Sequence, residues 1–390
     1  MKRLKIWLVL FLGLCLPVFN LEAGPEPTLR VAVVVSAPRI KTAVHSPYQI
    51  LDLATNQSLR QEGFLWTTIL SPGQDGIILG KTALKTYGFR IQPRKNGAIY
   101  LNGRQFNGVV DIIQKPDKTL LAINRLDRED YVAGVLYNEV APWWPMEALK
   151  AQAIVARAYG LYQAKVNAKK EYDFVCGSYS QAFGRRATEK GRIARAVKLT
   201  ENQVLTYKDK LFLAFYHAAC AGHTTNAASL WKINLPPLAG RECQFCQRSP
   251  YSRWQARLSL RQIEQALNKA GVKVGEIKSV RIVDRDISGR ITDLEIISAS
   301  GSTRINANRF RLAVGPNLIK SANFQLKMNK KAISFQGRGF GHGVGMCQWG
   351  AFFMARRAFS AEQILGYYYP QARIKNIEEL KNAQGDIETF

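Results

Sequence analysis

Between residue 28 and about residue 120 the apolar positions come in short runs, TLRVAVVVSA, GFLWTTILSP, DGIILG and GVVDIIQ, rich in branched side chains and separated by Gly, Pro, Asn or Asp. That pattern predicts strands joined by turns. No catalytic constellation stands out there, and His45 is isolated, which reads as a structural or surface histidine. The period changes at Asp127. In DREDYVAGVLYNEVAPWWPMEALKAQAIVARAYGLY, residues 127–162, Asp127 suits a helix N-cap and Asp130 the first turn, and Val132, Val135, Leu136 and Val140 follow at helical spacing, with Glu139 extending their face. Pro142 and Pro145 break that helix. A second helix is expected to start near Pro145, which suits a first turn, and to carry Gln152 and Arg157 about one and a half turns apart. The two helices form a predicted hairpin with Trp143 and Trp144 at its elbow.

Farther along, ATEKGRIARAVKLTENQVLTY reads as a helix leading into a strand, KLFLAFYHAAC. An amphipathic helix, SLRQIEQALNKAGV, and the strands KSVRIVDRD, ITDLEIISAS and STRINANRF follow, with SGR as the hairpin turn between the first two. In GRGFGHGVGMCQWGA five glycines, Gly337, Gly339, Gly341, Gly343 and Gly345, occupy alternate positions. A strand there would bare one face, which a polymer or another backbone can approach closely, and would present Arg338 and His342 on the other; tight internal packing is the alternative. Ser360 with Gln363 suits the cap of a last helix that Pro370 ends. The expected fold is therefore α+β with mixed sheets. The pattern divides the chain into a leader (1–23), a β-rich region (24–120), a core with the hairpin and a Cys/His cluster (121–250), a small α+β section (251–330) and a Gly-rich motif that completes the core (331–375).

The leader, MKRLKIWLVLFLGLCLPVFNLEAG, has a basic start, an apolar run at residues 6–16 and a small residue, Ala23, before a cleavage point, so it reads as a secretory signal. An uncleaved N-terminal anchor is the second reading: the run is short for a spanning helix, but Leu21 is imperfect at the third position before the cut. A lipid attachment at Cys15 is disfavoured by bulky Leu14. No other stretch is long and apolar enough to span a bilayer, so the expected location is the periplasm or cell wall. The chain of 390 residues carries a formal charge of +26, which becomes +24 when Lys2, Arg3, Lys5 and Glu22 leave with the leader. A chain so basic attracts polyanions. Outside the membrane these are anionic glycan, wall polymers and lipid headgroups, and no zinc-finger, RNA-recognition or helix-turn-helix signature points to nucleic acid.

Two sets of residues carry chemistry. A carboxylate on the core-facing side near a helix end, as expected of Glu139, is partly desolvated, which favours its protonated form and suits a general acid; the helical pattern alone is equally satisfied by a solvated surface glutamate. The second set is His217, Cys220 and His223, followed by Cys243-Gln-Phe-Cys246. A Cys-X-X-Cys turn lets two thiolates grip one ion, and His217 with Cys220 supplies two more ligands for a tetrahedral structural zinc. A disulfide competes, because exported proteins meet oxidising conditions, and five cysteines remain after the leader, an odd number. Neither reading makes the metal the catalyst.

The run EDYVAGVLYNEVAPWWPMEALKAQAIVARAY resembles the signature of the SpoIID/LytB family, named for stage II sporulation protein D and an amidase enhancer. AFYHAACAGHTTNAASLW and GRGFGHGVGMCQWGA resemble two further motifs of that family, with Cys347 where many members have Ser, and the likeness extends over roughly residues 28–374. The family often has a Cys-X-X-X-His-Cys type sequence, associated in some members with zinc, near Cys176; here Ser180 and Gln181 stand where the His and second Cys would fall, which argues against a metal in that loop. The resemblance implies a SpoIID-like fold with a catalytic helical hairpin and a cleft. It also implies lytic transglycosylase activity on peptidoglycan glycan strands already stripped of stem peptides, cutting the MurNAc-β-1,4-GlcNAc bond to leave 1,6-anhydroMurNAc ends, with no cofactor in catalysis. Glu139 matches the catalytic glutamate, and Gln152, Arg157, Tyr216, Arg338, His342 and Gln348 match polar motif positions assigned to substrate binding. The enhancer branch implies instead a non-enzymatic wall-binding protein that stimulates a separate amidase; a basic wall-associated scaffold is the third reading.

Overall fold

The structure is a computed structural model that describes residues 29–94, 97–175, 191–384 and 388–390. The leader with Cys15, and the segment with Cys176, Ser180 and Gln181, lie outside the described residues. The chain is a mixed α+β protein.

The β-rich region makes two antiparallel-dominated sheets. One orders the strands Phe174–Val175, Leu29–Ala37, Leu120–Leu126, Val109–Gln114, Gly88–Pro93, Tyr48–Asp52 and Ser58–Glu62; the other orders Arg104–Phe106, Ile99–Leu101, Ile40–Val44, Leu65–Pro72, Ile77–Leu79 and Thr82–Leu84. Alternation sets the faces: Tyr48, Ile50 and Asp52 point inward while Gln49 and Leu51 are only half-buried. Inward residues of both sheets, among them Val31, Ile50, Ile91 and Val110 from the first and Ile40, Leu70 and Ile99 from the second, share one hydrophobic cluster. His45 is a surface ring stacked on Phe64 at 5.0 Å.

That cluster is closed by the helical hairpin. Helix α1 (Arg128–Glu139) is capped by Asp127, whose carboxylate accepts from the Glu129 and Asp130 amides at 2.7 and 3.3 Å. It buries Tyr131, Val132, Val135 and Leu136. Each such side chain stabilises the fold by about 1.5–3 kcal/mol. Val140 turns the chain into extended backbone, so α1 ends at Glu139. Pro145 caps α2 (Met146–Val166), an Ala-rich helix buried along most of its length. At the elbow Trp144 is buried against Trp349 and Phe352, while Trp143 stays 63 % exposed.

A second cluster packs α2 against residues 204–246 and the helices Gln348–Ala355 and Ala361–Tyr368. The latter carries the expected capping box of Ser360 and Gln363. A third cluster holds the strands Trp254–Ser259, Ile277–Arg285, Ile291–Ser298, Phe324–Met328 and Ala332–Gly337 with the helices Leu260–Lys269 and Ala307–Val314. Ser288-Gly289-Arg290 forms the turn between Ile277–Arg285 and Ile291–Ser298, as the sequence predicts. Ala332–Gly337 pairs with Trp254–Ser259 and Phe324–Met328, so the strand that leads into the Gly-rich motif is anchored in this third body.

Two expectations of regular structure fail. KLFLAFYHAAC is not one strand: only Lys210–Leu211 and Tyr216–His217 are extended pairs, and Tyr216–His217 runs parallel to Met346–Cys347. The alternating glycines do not form a strand either. Gly339, Gly341, Gly343 and Gly345 have φ of 80°, 102°, 93° and 69°, so the segment is an irregular ribbon between Gly337 and Met346. It is packed internally. A Cβ at Gly341 would lie 2.8 Å from His217 Cβ, and one at Gly345 would lie 1.9 Å from the Phe215 carbonyl oxygen. The glycines let the ribbon press on residues 215–221, and the face expected to be bare is filled by the chain itself.

Candidate active site

Glu139 is the last residue of α1 and is half-buried. Its Oε2 accepts from Gln348 Nε2 at 3.2 Å, and the same amide nitrogen points to Gln152 Oε1 at 3.4 Å. Three elements thus converge. Glu139 comes from the end of α1, Gln152 from the second turn of α2, and Gln348 from the first position of the Gln348–Ala355 helix. The parallel pairing of Tyr216 with Met346 and His217 with Cys347 brings a fourth segment alongside. Burial, and then the nearby charge of Glu139, raise the Tyr216 phenol well above its ordinary pKa, so it is a neutral hydroxyl at any physiological pH. Gln152 Nε2 and Tyr216 Oη are buried without a hydrogen-bond partner. Both atoms belong to the group of side chains around the Glu139 carboxyl.

His217 and His342 lie next to this group, with ring centroids 5.7 Å apart. His217 Nδ1 pairs with the Val344 carbonyl at 3.1 Å, which leaves Nε2 buried and unpartnered. Burial, followed by the positive charge of Arg290, lowers the His217 pKa to about 3. His342 Nδ1 accepts from the Val344 amide at 3.1 Å, its ring lies against Trp231 at 5.1 Å, and burial and then His217 hold it well below the usual histidine range. Both rings are neutral at pH 7. A histidine with a depressed folded pKa removes stability as pH falls, because the unfolded chain takes up a proton that the folded one refuses. For His217 the window runs from pH 6.5 down to about 3, and unfolding free energy is expected to drop by about 2 kcal/mol between pH 7 and pH 5 from this residue. Urea melts across that range check it: a His217→Gln variant should show the flatter profile, and an unchanged slope would refute this account of the ring.

Arg157 does not belong to the site. It is fully buried, its Nε and Nη2 donate to Glu129 at 2.9 and 2.6 Å, and its Nη1 donates to the Gln203 carbonyl at 2.9 Å. This guanidinium ties the start of α1 to α2 and to the strand Gln203–Tyr207. Helical spacing places it one and a half turns beyond Gln152 but says nothing of which neighbour it meets. Arg157→Ala is expected to cost about 3 kcal/mol of stability by leaving Glu129 and a carbonyl unpaired. Chemical denaturation reads this loss. Arg338 is exposed, and its backbone bonds to Asn323 and Ser321 place it at the third body.

The Cys/His cluster assembles with a different membership from the one expected. Cys220, Cys243 and Cys246 come together, and the fourth sulfur is that of Cys347, all four within 4.8 Å of one another and buried. His217 is not in this set; its Nδ1 pairs with the Val344 carbonyl. No disulfide joins these cysteines. Cys347 stands in the sequence where many family members have Ser, and no local spacing groups it with the other three cysteines.

Among the described residues no helix is long and apolar enough to cross a membrane. A cavity of about 440 Å³ lined by Leu230, Trp231, Asn306 and Arg309 contains none of the predicted site residues.

Residues 116–207 match the stage II sporulation protein (SpoIID) family, and residues 240–345 match a domain of unknown function, DUF8618. The first match contains α1, α2 and Glu139. The chain is 35% identical over 270 residues to an uncharacterized protein of Brachyspira hyodysenteriae, covering 69% of this chain and 72% of that one. It is 28% identical over 286 residues to stage II sporulation protein D of Bacillus subtilis, covering 67% and 78%, and 25% identical over 342 residues to the amidase enhancer of the same organism, covering 74% and 47%. With the family's signature on the hairpin whose first helix ends in Glu139 and relatives of both kinds along most of its length, the chain belongs to the SpoIID/LytB family, that of stage II sporulation protein D and the amidase enhancer.

Proposed function

We propose that this protein is an exported lytic transglycosylase that cuts the MurNAc-β-1,4-GlcNAc bond of peptide-stripped glycan strands in cell-wall remodelling. The observation that supports this best is the Gln348 amide bonded to Glu139 at 3.2 Å, with the unpartnered Gln152 and Tyr216 groups beside it. This group contains a single carboxyl, contributed by Glu139, and a reaction whose nucleophile belongs to the substrate needs only one. Glu139 gives its proton to the glycosidic oxygen, the bond from that oxygen to the anomeric carbon breaks, and the GlcNAc hydroxyl departs with the proton. The 6-hydroxyl oxygen of the same MurNAc then bonds to the anomeric carbon and passes its proton to the Glu139 carboxylate, so no water is consumed. Gln348 holds the carboxyl in place, and Gln152 Nε2 and the neutral Tyr216 hydroxyl supply donors to the sugar. Exposed Trp143 at the elbow offers an apolar ring to a sugar face. The net charge of +26 favours an anionic polymer.

The 25% identity to an amidase enhancer supports a second reading, a wall-binding protein that stimulates a separate amidase without cutting glycan. Mass spectrometry after incubation with peptide-free strands separates the two. Anhydro ends support the transglycosylase; intact strands that nonetheless retain the protein support the enhancer.

A further inference from the structure

The four buried thiols are the strongest feature that the proposed reaction does not use. Their Sγ atoms, from Cys220, Cys243, Cys246 and Cys347, all lie within 4.8 Å of one another. Tetrahedral zinc with bonds of about 2.3 Å sets its sulfurs about 3.8 Å apart, and the cluster brackets that value, with Cys220 and Cys246 Sγ 3.2 Å apart and every pair within 4.8 Å. The residues around it are arranged as for thiolates. The Cys220 and Gly350 amides each donate to Cys347 Sγ at 3.3 Å, and the Tyr368 hydroxyl lies 3.1 Å from Cys243 Sγ. Arg290, buried among them, donates to the Cys220 and His223 carbonyls at 2.7 and 2.9 Å and to Ser288 Oγ at 3.1 Å, which sets a fixed positive charge beside the sulfurs. Four thiolates around a divalent ion carry two net negative charges, and a buried guanidinium offsets part of that.

We propose that Cys220, Cys243, Cys246 and Cys347 bind one zinc ion as a closed structural tetrathiolate site. Four protein ligands leave no open position, so the ion takes no part in the chemistry. Its work is to join three distant segments: the end of the Tyr216–His217 strand, the Cys-X-X-Cys turn, and the residue that precedes Gln348. Binding releases the thiol protons and stabilises the fold.

Metal analysis of the purified full-length protein comes first, with about one zinc per chain expected and the four thiols blocked to alkylation until a chelator is added. Two disulfides by peptide mapping, or four thiols that stay free and reactive after dialysis against zinc, would overturn the proposal, and neither readout depends on a variant that folds. Cobalt substitution then identifies the fourth ligand. Cys347→Ser should lose about a quarter of the sulfur-to-cobalt charge-transfer intensity, one thiolate of four, whereas His217→Gln should retain all of it. The reverse pattern would contradict the assignment. Tyr368→Phe, which removes a single hydrogen bond to Cys243, should weaken zinc affinity about tenfold.

Discussion

Glu139→Gln is expected to reduce glycan cleavage about 1,000-fold, the middle of the range for a positioned general acid and base, while strand binding changes little. The amide is nearly isosteric and can still meet Gln348 Nε2 through its own carbonyl oxygen, so the contact at 3.2 Å is preserved and the fold is undisturbed. What is lost is the exchangeable proton. Because one carboxyl group serves as acid and then as base in the proposed reaction, both steps fail together, and kcat should fall with KM unchanged. Timed digests of purified strands, with co-sedimentation for binding, measure the two quantities separately. In the enhancer reading the variant would stimulate an amidase as well as the parent, because no proton moves on Glu139.

Gly345→Ala is expected to cost more than about 4 kcal/mol and to yield little folded protein, since two mechanisms add. The residue sits at φ +69°, where an L side chain is strained, and its new methyl would lie 1.9 Å from the Phe215 carbonyl oxygen and 3.1 Å from Tyr369. Neither neighbour can yield. The Tyr369 hydroxyl bonds that same Phe215 carbonyl and accepts from the Met346 amide, and Met346 in turn donates to Phe215. A displaced ribbon would carry Met346, Cys347 and Gln348 with it, so Gln348 would leave Glu139. Gly366→Ala is the control: it lies in the helix Ala361–Tyr368 with nothing within 4 Å of the added carbon, and should gain up to about 1 kcal/mol from helix propensity. Soluble yield and thermal melting of the two variants side by side would show it, and a well-folded Gly345→Ala would mean that the ribbon is not fixed as described.

Features written by neighbouring residues were legible in the sequence. The Asp127 cap, the helical face of Val132, Val135 and Leu136, the Ser360–Gln363 box and the Ser288-Gly289-Arg290 turn each depend on a few consecutive residues, and each is where the pattern puts it. Relations across the chain were not. Glu139 and Gln348 are 209 residues apart, and nothing in the local pattern of either pairs them. Arg157 is assigned to substrate binding through the resemblance, and nothing local announces Glu129 and the Gln203 carbonyl as its partners. The Cys-X-X-Cys and His-X-X-Cys spacings suggest His217 beside Cys220, whereas the parallel pairing of Tyr216–His217 with Met346–Cys347 brings Cys347 to the other thiols. Alternating glycines suggested a strand because period two is a strand signal, but four successive positive φ values at those positions make a ribbon that only the packing partner explains.

The most direct test of the central claim is cleavage of peptide-free glycan strands in water enriched in heavy oxygen, followed by mass spectrometry of the new MurNAc ends. If the sugar's own 6-hydroxyl closes on the anomeric carbon with Glu139 handling the proton, the ends are one water lighter than reducing ends and carry no label. Reducing ends that have taken up heavy oxygen would contradict the account, because they would show that water, activated by a group outside the one described, is the nucleophile.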